Sequence, residues 1–550
     1  MKLLSRFVFA ASFSLVSLLA INACKKPTDD INLIVNTSTL SKAPTLLQFV
    51  NANPTSNTAI PASFAVTISG ANAALVQVDG GGTNFTATNG ILPLSLTKSA
   101  NPSIANPLTY HIYVNVPGFM PVSKTIVVTS NAASAPVIPL VEYASPANGT
   151  ATVVQQSTVS AGTSSAVSIN TSANTSTTEA SNVSIPSGTQ LLDANGSLIN
   201  SSQLKSSVVF FGTGNTSSYN ALPGGLNPSN AIGPNGQALP AGTSFVTAGL
   251  LSINMVAGST AVKGFSKPVT LTMEINSNLV NPQTKQQVAA GDAIPIWSLN
   301  EQTGQWKYET TANVIRKGNK LAVTFPITHL SSWSADWYGA SCSSTLTVNM
   351  HTAQQLNGDF LVSLTTANEQ PVSSAAVSQL KEGVQAVLSD IPADAGDLKV
   401  VVYARNGNSL TKLGETPTFG ACGKGSVEVT LATQPTVNYI KTMVNVVAKC
   451  SNQQVVAYPS TWLVLKNTTT GESTNVYMTD GVATTNLVDG NSYSITTTYA
   501  GKTYNSSAFK LDKSAVVAIP AVNGLSGTTR YDAVSNTVVV DATFVLTDCK

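Results

Sequence analysis

The sequence predicts an all-β chain built of tandem β-sandwiches, and three observations carry that prediction. Apolar residues recur at every second position in runs such as Phe64/Val66/Ile68, Leu321/Val323/Phe325 and Val427/Val429/Leu431. Each run fits a strand with one buried and one wet face, and helical periodicity is nearly absent. Between the runs stand turn dipeptides, among them Asn89-Gly90, Asp480-Gly481 and Asp489-Gly490, which close hairpins because both residues tolerate positive φ. Only 10% of the residues are charged, against about 25% in an average soluble domain. The surface must then be solvated by Ser, Thr, Asn and Gln, while 43% hydrophobic residues suffice for several cores. A net charge of +2 predicts neither a nucleic-acid footprint nor a polybasic membrane patch.

The N-terminus predicts an address. Lys2 and Arg6 precede an apolar run from Phe7 to Ile21 that ends in Ile21-Asn22-Ala23-Cys24. About 15 apolar residues are too few for a bilayer that needs about 20, so residues 1–23 read as a secretory signal peptide. The four terminal residues resemble a bacterial lipobox. That resemblance implies a diacylglycerol on the Cys24 thiol and Cys24 as the first mature residue, an anchor that needs more than one acyl chain to hold. Plain cleavage after Ala23, giving a free secreted protein, is the alternative. Lys25-Lys26-Pro27-Thr28-Asp29-Asp30 resembles the export signals of Bacteroidota lipoproteins, which implies the outer face of the outer membrane.

Punctuation then divides the chain. A tether over 24–29 leads to sandwiches expected at 30–142, 143–339, 340–434 and 435–550. The Ser/Thr/Ala/Asn-rich stretch from Ala147 to Thr178 reads either as a linker or, through its spaced valines, as edge strands of the second sandwich. Besides Cys24 the cysteines are Cys342, Cys422, Cys450 and Cys549. An even set in an exported chain reads as disulfides, with three connectivities open. Cys342–Cys422 and Cys450–Cys549 are the expected pairs, because each brackets one proposed domain.

Two segments carry resemblances. Val183-Ser184-Ile185-Pro186-Ser187-Gly188, Phe265-Ser266-Lys267-Pro268-Val269, Thr303-Gly304-Gln305-Trp306 and His329-Leu330-Ser331 follow one another in order. This set resembles an immunoglobulin-like sandwich of Bacteroidota surface lipoproteins, and more distantly the sandwich of netrin receptors and ankyrins. Thr479-Asp480-Gly481, Asn486 to Gly490 and Tyr493 to Gly501 resemble the transthyretin-like modules that accompany carboxypeptidases. Such modules are spacers, so the resemblance implies architecture and little chemistry.

Catalytic signatures are missing. His111, His329 and His351 form no H-E-x-x-H helix, no G-x-S-x-G elbow occurs, and no D-x-D-x-D-G calcium loop is present. No cofactor or metal is expected, although scattered carboxylates and carbonyls could still bind calcium. Two features remain. Trp333 and Trp337, with Tyr338, belong to a cluster that includes Trp297 and Trp306 and would stack on sugar rings if exposed. Core filling is the plainer role for such large rings. His329-Leu330-Ser331 matches the tripeptide at which adhesion receptors cleave themselves, the histidine taking the serine proton for attack on the preceding carbonyl. The flanking cysteine pairs of those receptors are absent. The expected function is non-catalytic binding, adhesion or spacing at the cell surface, toward an extracellular glycan or protein; glycan capture and a self-cleaving scaffold are the alternatives.

Overall fold

The computed structural model describes residues 33–38, 40–228, 230–406, 409–432, 437–451, 455–499 and 501–546. It is nearly all β, 59% strand and 1% helix. The signal peptide, Cys24 and the tether lie outside the described residues. Among those described, no helix is long and apolar enough to cross a membrane. The chain forms two compact units. One holds residues 41–438 with 498–503; the other holds the residues before Ser41 with 439–497 and the chain from Tyr504 on.

The first unit contains three sandwiches. In the first, Ser41–Asn51 pairs with Ile91–Thr97, and this sheet faces a second built on Leu108–Val114 and Val122–Val128. Leu47, Leu92 and Leu94 meet Tyr110, Ile112 and Val114 in one core. The alternating run at Phe64, Val66 and Ile68 is not one strand. It breaks at Val66 into Ser63–Ala65 and Thr67–Ser69, which pair into different sheets.

The second sandwich is the largest. One sheet orders Thr150–Ser160, Gln203–Phe211, Thr243–Ala257, Ser332–Ala340, Ala293–Asn300 and Gln305–Asn313. Gly264–Ile275 and Lys320–His329 carry the facing sheet. The low-complexity stretch is therefore partly a strand: Thr150–Ser160 runs antiparallel to Gln203–Phe211. Leu321, Val323, Phe325 and Ile327 point inward, as alternation predicts.

In the third sandwich Leu346–His351 lies between Val384–Leu388 and Ser426–Thr430, opposite a sheet centred on Leu356–Thr366 and Asp397–Asn406. Cys342 and Cys422 form a disulfide across 80 residues. Closing such a loop restricts the unfolded chain by about 4 kcal/mol in the entropic account.

The other unit corrects the first domain boundary. Leu33–Asn36 does not open the first sandwich. It adds a parallel edge strand to Val455–Tyr458, in a sheet that also holds Tyr439–Cys450 and Thr537–Leu546. Polar clasps hold the segment: Ser460 N donates to Thr37 Oγ1 (2.6 Å), while Ser38 N and Oγ donate to Asp480 (3.0 and 2.7 Å). Asp480 and Gly481 both have positive φ, 45° and 79°, as a tight hairpin turn requires. Cys450 is disulfide-bonded; Cys549 lies outside the described residues.

A seam joins the first and second sandwiches. The hairpin between Asn300 and Gln305 seats on His111, whose Nε2 bonds the Glu301 carbonyl at 3.0 Å. A carbonyl only accepts, so Nε2 carries the proton and Nδ1 accepts from Thr125 Oγ1 at 3.4 Å. Gly304, at φ +70°, packs on this ring so closely that a Cβ would collide with Nδ1. Burial lowers the His111 pKa, against the opposing hydrogen bond to Glu301. A depressed pKa means stability present above the unfolded value of 6.5 and lost as pH falls through the folded value. The thermal midpoint of the wild type should therefore fall relative to His111→Asn between pH 7 and pH 5. Parallel midpoint curves for the two proteins would contradict this role.

Candidate binding site

Trp333 and Trp337 are 2% and 1% exposed, which removes the glycan platform. The reason is the place of Ser332–Ala340, hydrogen-bonded on both edges and covered on both faces. Trp333, Ala335 and Trp337 enter the sandwich core, and Trp337 Nε1 donates to the Ala293 carbonyl at 3.0 Å. Tyr338, half-buried, leaves by the other face and meets Trp297 edge-on with ring centres 5.2 Å apart. On that same face burial pushes Asp336 up to about 7, against hydrogen bonds to Ser334 and Thr247.

His329, Leu330 and Ser331 are not arranged for cleavage. The Ser331 hydroxyl donates to the Leu299 carbonyl. His329 turns away, its Nε2 3.5 Å from Glu309 Oε1 and its ring 4.8 Å from that of Trp333. Burial raises the Glu309 pKa, but hydrogen bonds from His329, Ser298 and Lys307 outweigh it and hold the carboxyl at about 2. Leu330 is buried and donates its N–H to the Lys263 carbonyl.

Sequence reasoning missed two constellations. His351 is clamped between carboxylates, Nδ1 2.6 Å from Glu382 and Nε2 2.7 Å from Glu428. Hydrogen bonds to Glu382 and then Glu428 raise its pKa. Two strands supply His351 and Glu428 and the turn before Val384 supplies Glu382, so no local motif marks them. The second is a cleft of about 840 Å³ between the second sandwich and the Thr366–Pro371 loop of the third. Glu179, Thr213, Val288 and Gln370 form its buried floor; Asn276, Asn319, Asn368, Arg316 and Lys320 stand around it. Asn368 Nδ2 donates to the Asn278 carbonyl at 3.2 Å, tying the loop to the second sandwich. Amide side chains present paired donors and acceptors, so the cleft suits a polar ligand. Its signal in the sequence is only Asn and Gln, which this chain also uses over its whole surface.

Among the described residues no group of three or more His, Cys, Asp or Glu could hold a metal ion. No family model matches the chain, and no curated protein matches it. Among solved structures it is similar to a minor pilin of Streptococcus agalactiae, at 9% identity over 38% of this chain and 99% of that one, with a TM-score of 0.14. It is similar to the pilus adhesin of Lactobacillus rhamnosus GG at 12% identity, covering 73% of this chain and 57% of the adhesin, with a TM-score of 0.15. The major pilin of Bacillus cereus matches at 10% identity over 92% and 99%, with a TM-score of 0.13. At these TM-scores the chains do not superpose as wholes, and no function passes from those proteins to this one.

The geometry at Ser331 makes a prediction. The purified chain should run as one denatured band, and Ser331→Ala should leave that band unchanged. His329→Ala should lower the thermal midpoint by about 2 °C, the size expected for losing one half-exposed polar contact. Two fragments that separate only on denaturation and vanish in Ser331→Ala would contradict it.

Proposed function

We propose that this chain is a lipid-anchored, surface-exposed outer-membrane protein that binds an extracellular ligand and catalyses nothing. The observation that carries the binding reading is the amide-lined cleft, which offers hydrogen-bonding groups around a buried floor without pairing a nucleophile with a base. Two arrangements support it. Leu33–Asn36, nine residues after Cys24 in sequence (33 minus 24), are built into a folded unit. The unit with the cleft, 41–438, is inserted in sequence between Leu40 and Tyr439 of the anchored one. A second reading, glycan capture for a neighbouring uptake system, is favoured by the same lining: amides and carboxylates bond vicinal hydroxyls, and the buried tryptophans are not needed for that.

The test is made on intact cells. Wild type should take up labelled fatty acid, fractionate with membranes and be digested by added protease, whereas Cys24→Ser should lose the label and leave the membrane fraction. Membrane retention of unlabelled Cys24→Ser would contradict the anchor, and protection of the wild type from protease would contradict surface exposure. Full chain solubilised in detergent, screened against immobilised oligosaccharides, separates glycan capture from other binding.

A further inference from the structure

The cleft floor holds an electrostatic anomaly that polar-ligand binding at the rim does not use. Glu179 is 4% exposed. Its Oε1 accepts from the Thr178 hydroxyl at 2.7 Å, but Oε2 is buried without a hydrogen-bond partner. Thr177 Oγ1 and Thr213 Oγ1 are in the same condition. Glu179 and Thr177 meet beside Gly212, where a Cβ would lie 2.8 Å from both Glu179 Oε2 and Thr177 Cγ2, and Thr213 lines the same cleft as Glu179. Tyr219 closes the place from above, its hydroxyl 3.4 Å from the Thr213 carbonyl.

A buried carboxylate without a counter-charge costs several kcal/mol, and each unsatisfied hydroxyl adds to that. The cations nearby are engaged or outlying. Lys320 Nζ donates to the Thr178 carbonyl at 3.0 Å, and Arg316 is exposed on the cleft wall. What is wanted is a small positive charge that accepts oxygen ligands from a carboxylate and two hydroxyls. The geometry points to a calcium site on the floor of the cleft, with Glu179 as its charged ligand and Thr177 and Thr213 as neutral ones. Calcium takes six to eight oxygens at about 2.3–2.6 Å in flexible geometry, so water entering from the cleft can complete the shell. Magnesium demands a near-ideal octahedron and sheds water reluctantly, and does not suit this set. With a single carboxylate the affinity belongs in the range of extracellular modules, about 10⁻⁴ to 10⁻³ M.

The experiment is a titration of calcium chloride into the full, detergent-solubilised chain at constant ionic strength. Calorimetry should report one site in that range, and 5 mM calcium should raise the thermal midpoint by about 2–4 °C. Magnesium chloride and sodium chloride should each give under a third of that shift. Glu179→Gln should abolish the calcium response; Thr213→Val should weaken it, and so should Gly212→Ala, whose methyl enters the site. No calcium response in the wild type overturns the proposal. So does an equal response to sodium, or a calcium response that survives in folded Glu179→Gln. If Glu179→Gln does not fold, the Thr213→Val and Gly212→Ala proteins decide: a response unchanged in both overturns the site.

Discussion

The joining of the first two sandwiches depends on one cluster, the aromatic residues on the outer face of a sheet of the second sandwich. Phe245 stacks on Trp297 with ring centres 4.8 Å apart and meets Trp306 edge-on at 5.8 Å. The cluster also takes Ala52, Met120 and Val141 from the first sandwich. A sheet with one buried face would leave these rings in water. Covering the second face removes them and makes the two sandwiches share a core. The hairpin at Asn300–Gln305 is then pressed against His111, and Asp336 is enclosed where burial raises its carboxyl pKa.

That double covering explains where the sequence could be read and where it could not. Alternation marks strands because period two puts Leu321, Val323 and Phe325 on one face whatever lies opposite. It does not say whether the other face is wet. Trp333 and Trp337 lie on the inner face and Trp297 and Trp306 on the covered outer one, so the platform the aromatic cluster invited is not built. The Cys342–Cys422 bridge was legible because the third sandwich closes on itself between those residues. The partner of Leu33–Asn36 was not. A four-residue β-prone strand can extend any open edge, and the one it joins begins at Val455. His351 and Glu428 meet only through sheet register, with Glu382 brought to them by the turn before Val384, and the cleft carries amides that sequence cannot tell from ordinary surface.

The cleft and the seam serve the proposed function in different ways. Rigid packing of the first two sandwiches fixes one wall, and the tied Thr366–Pro371 loop of the third fixes the other. A site held between packed sheets loses little ordering entropy on binding. Calcium on the floor would stiffen the same wall from beneath, linking occupancy to stability. The clasp of Ser38 on Asp480 belongs to the other unit.

The shared core is tested most directly by native-state hydrogen exchange on Trp306→Ala. Losing a buried tryptophan costs about 3–5 kcal/mol, so amides that exchange through opening of this core should lose about 10²–10³-fold protection. The account predicts that the loss appears together in the Gln305–Asn313 strand and in the Val122–Val128 and Val137–Leu140 strands of the first sandwich. Loss confined to the second sandwich, with the first at wild-type protection, would contradict a common core.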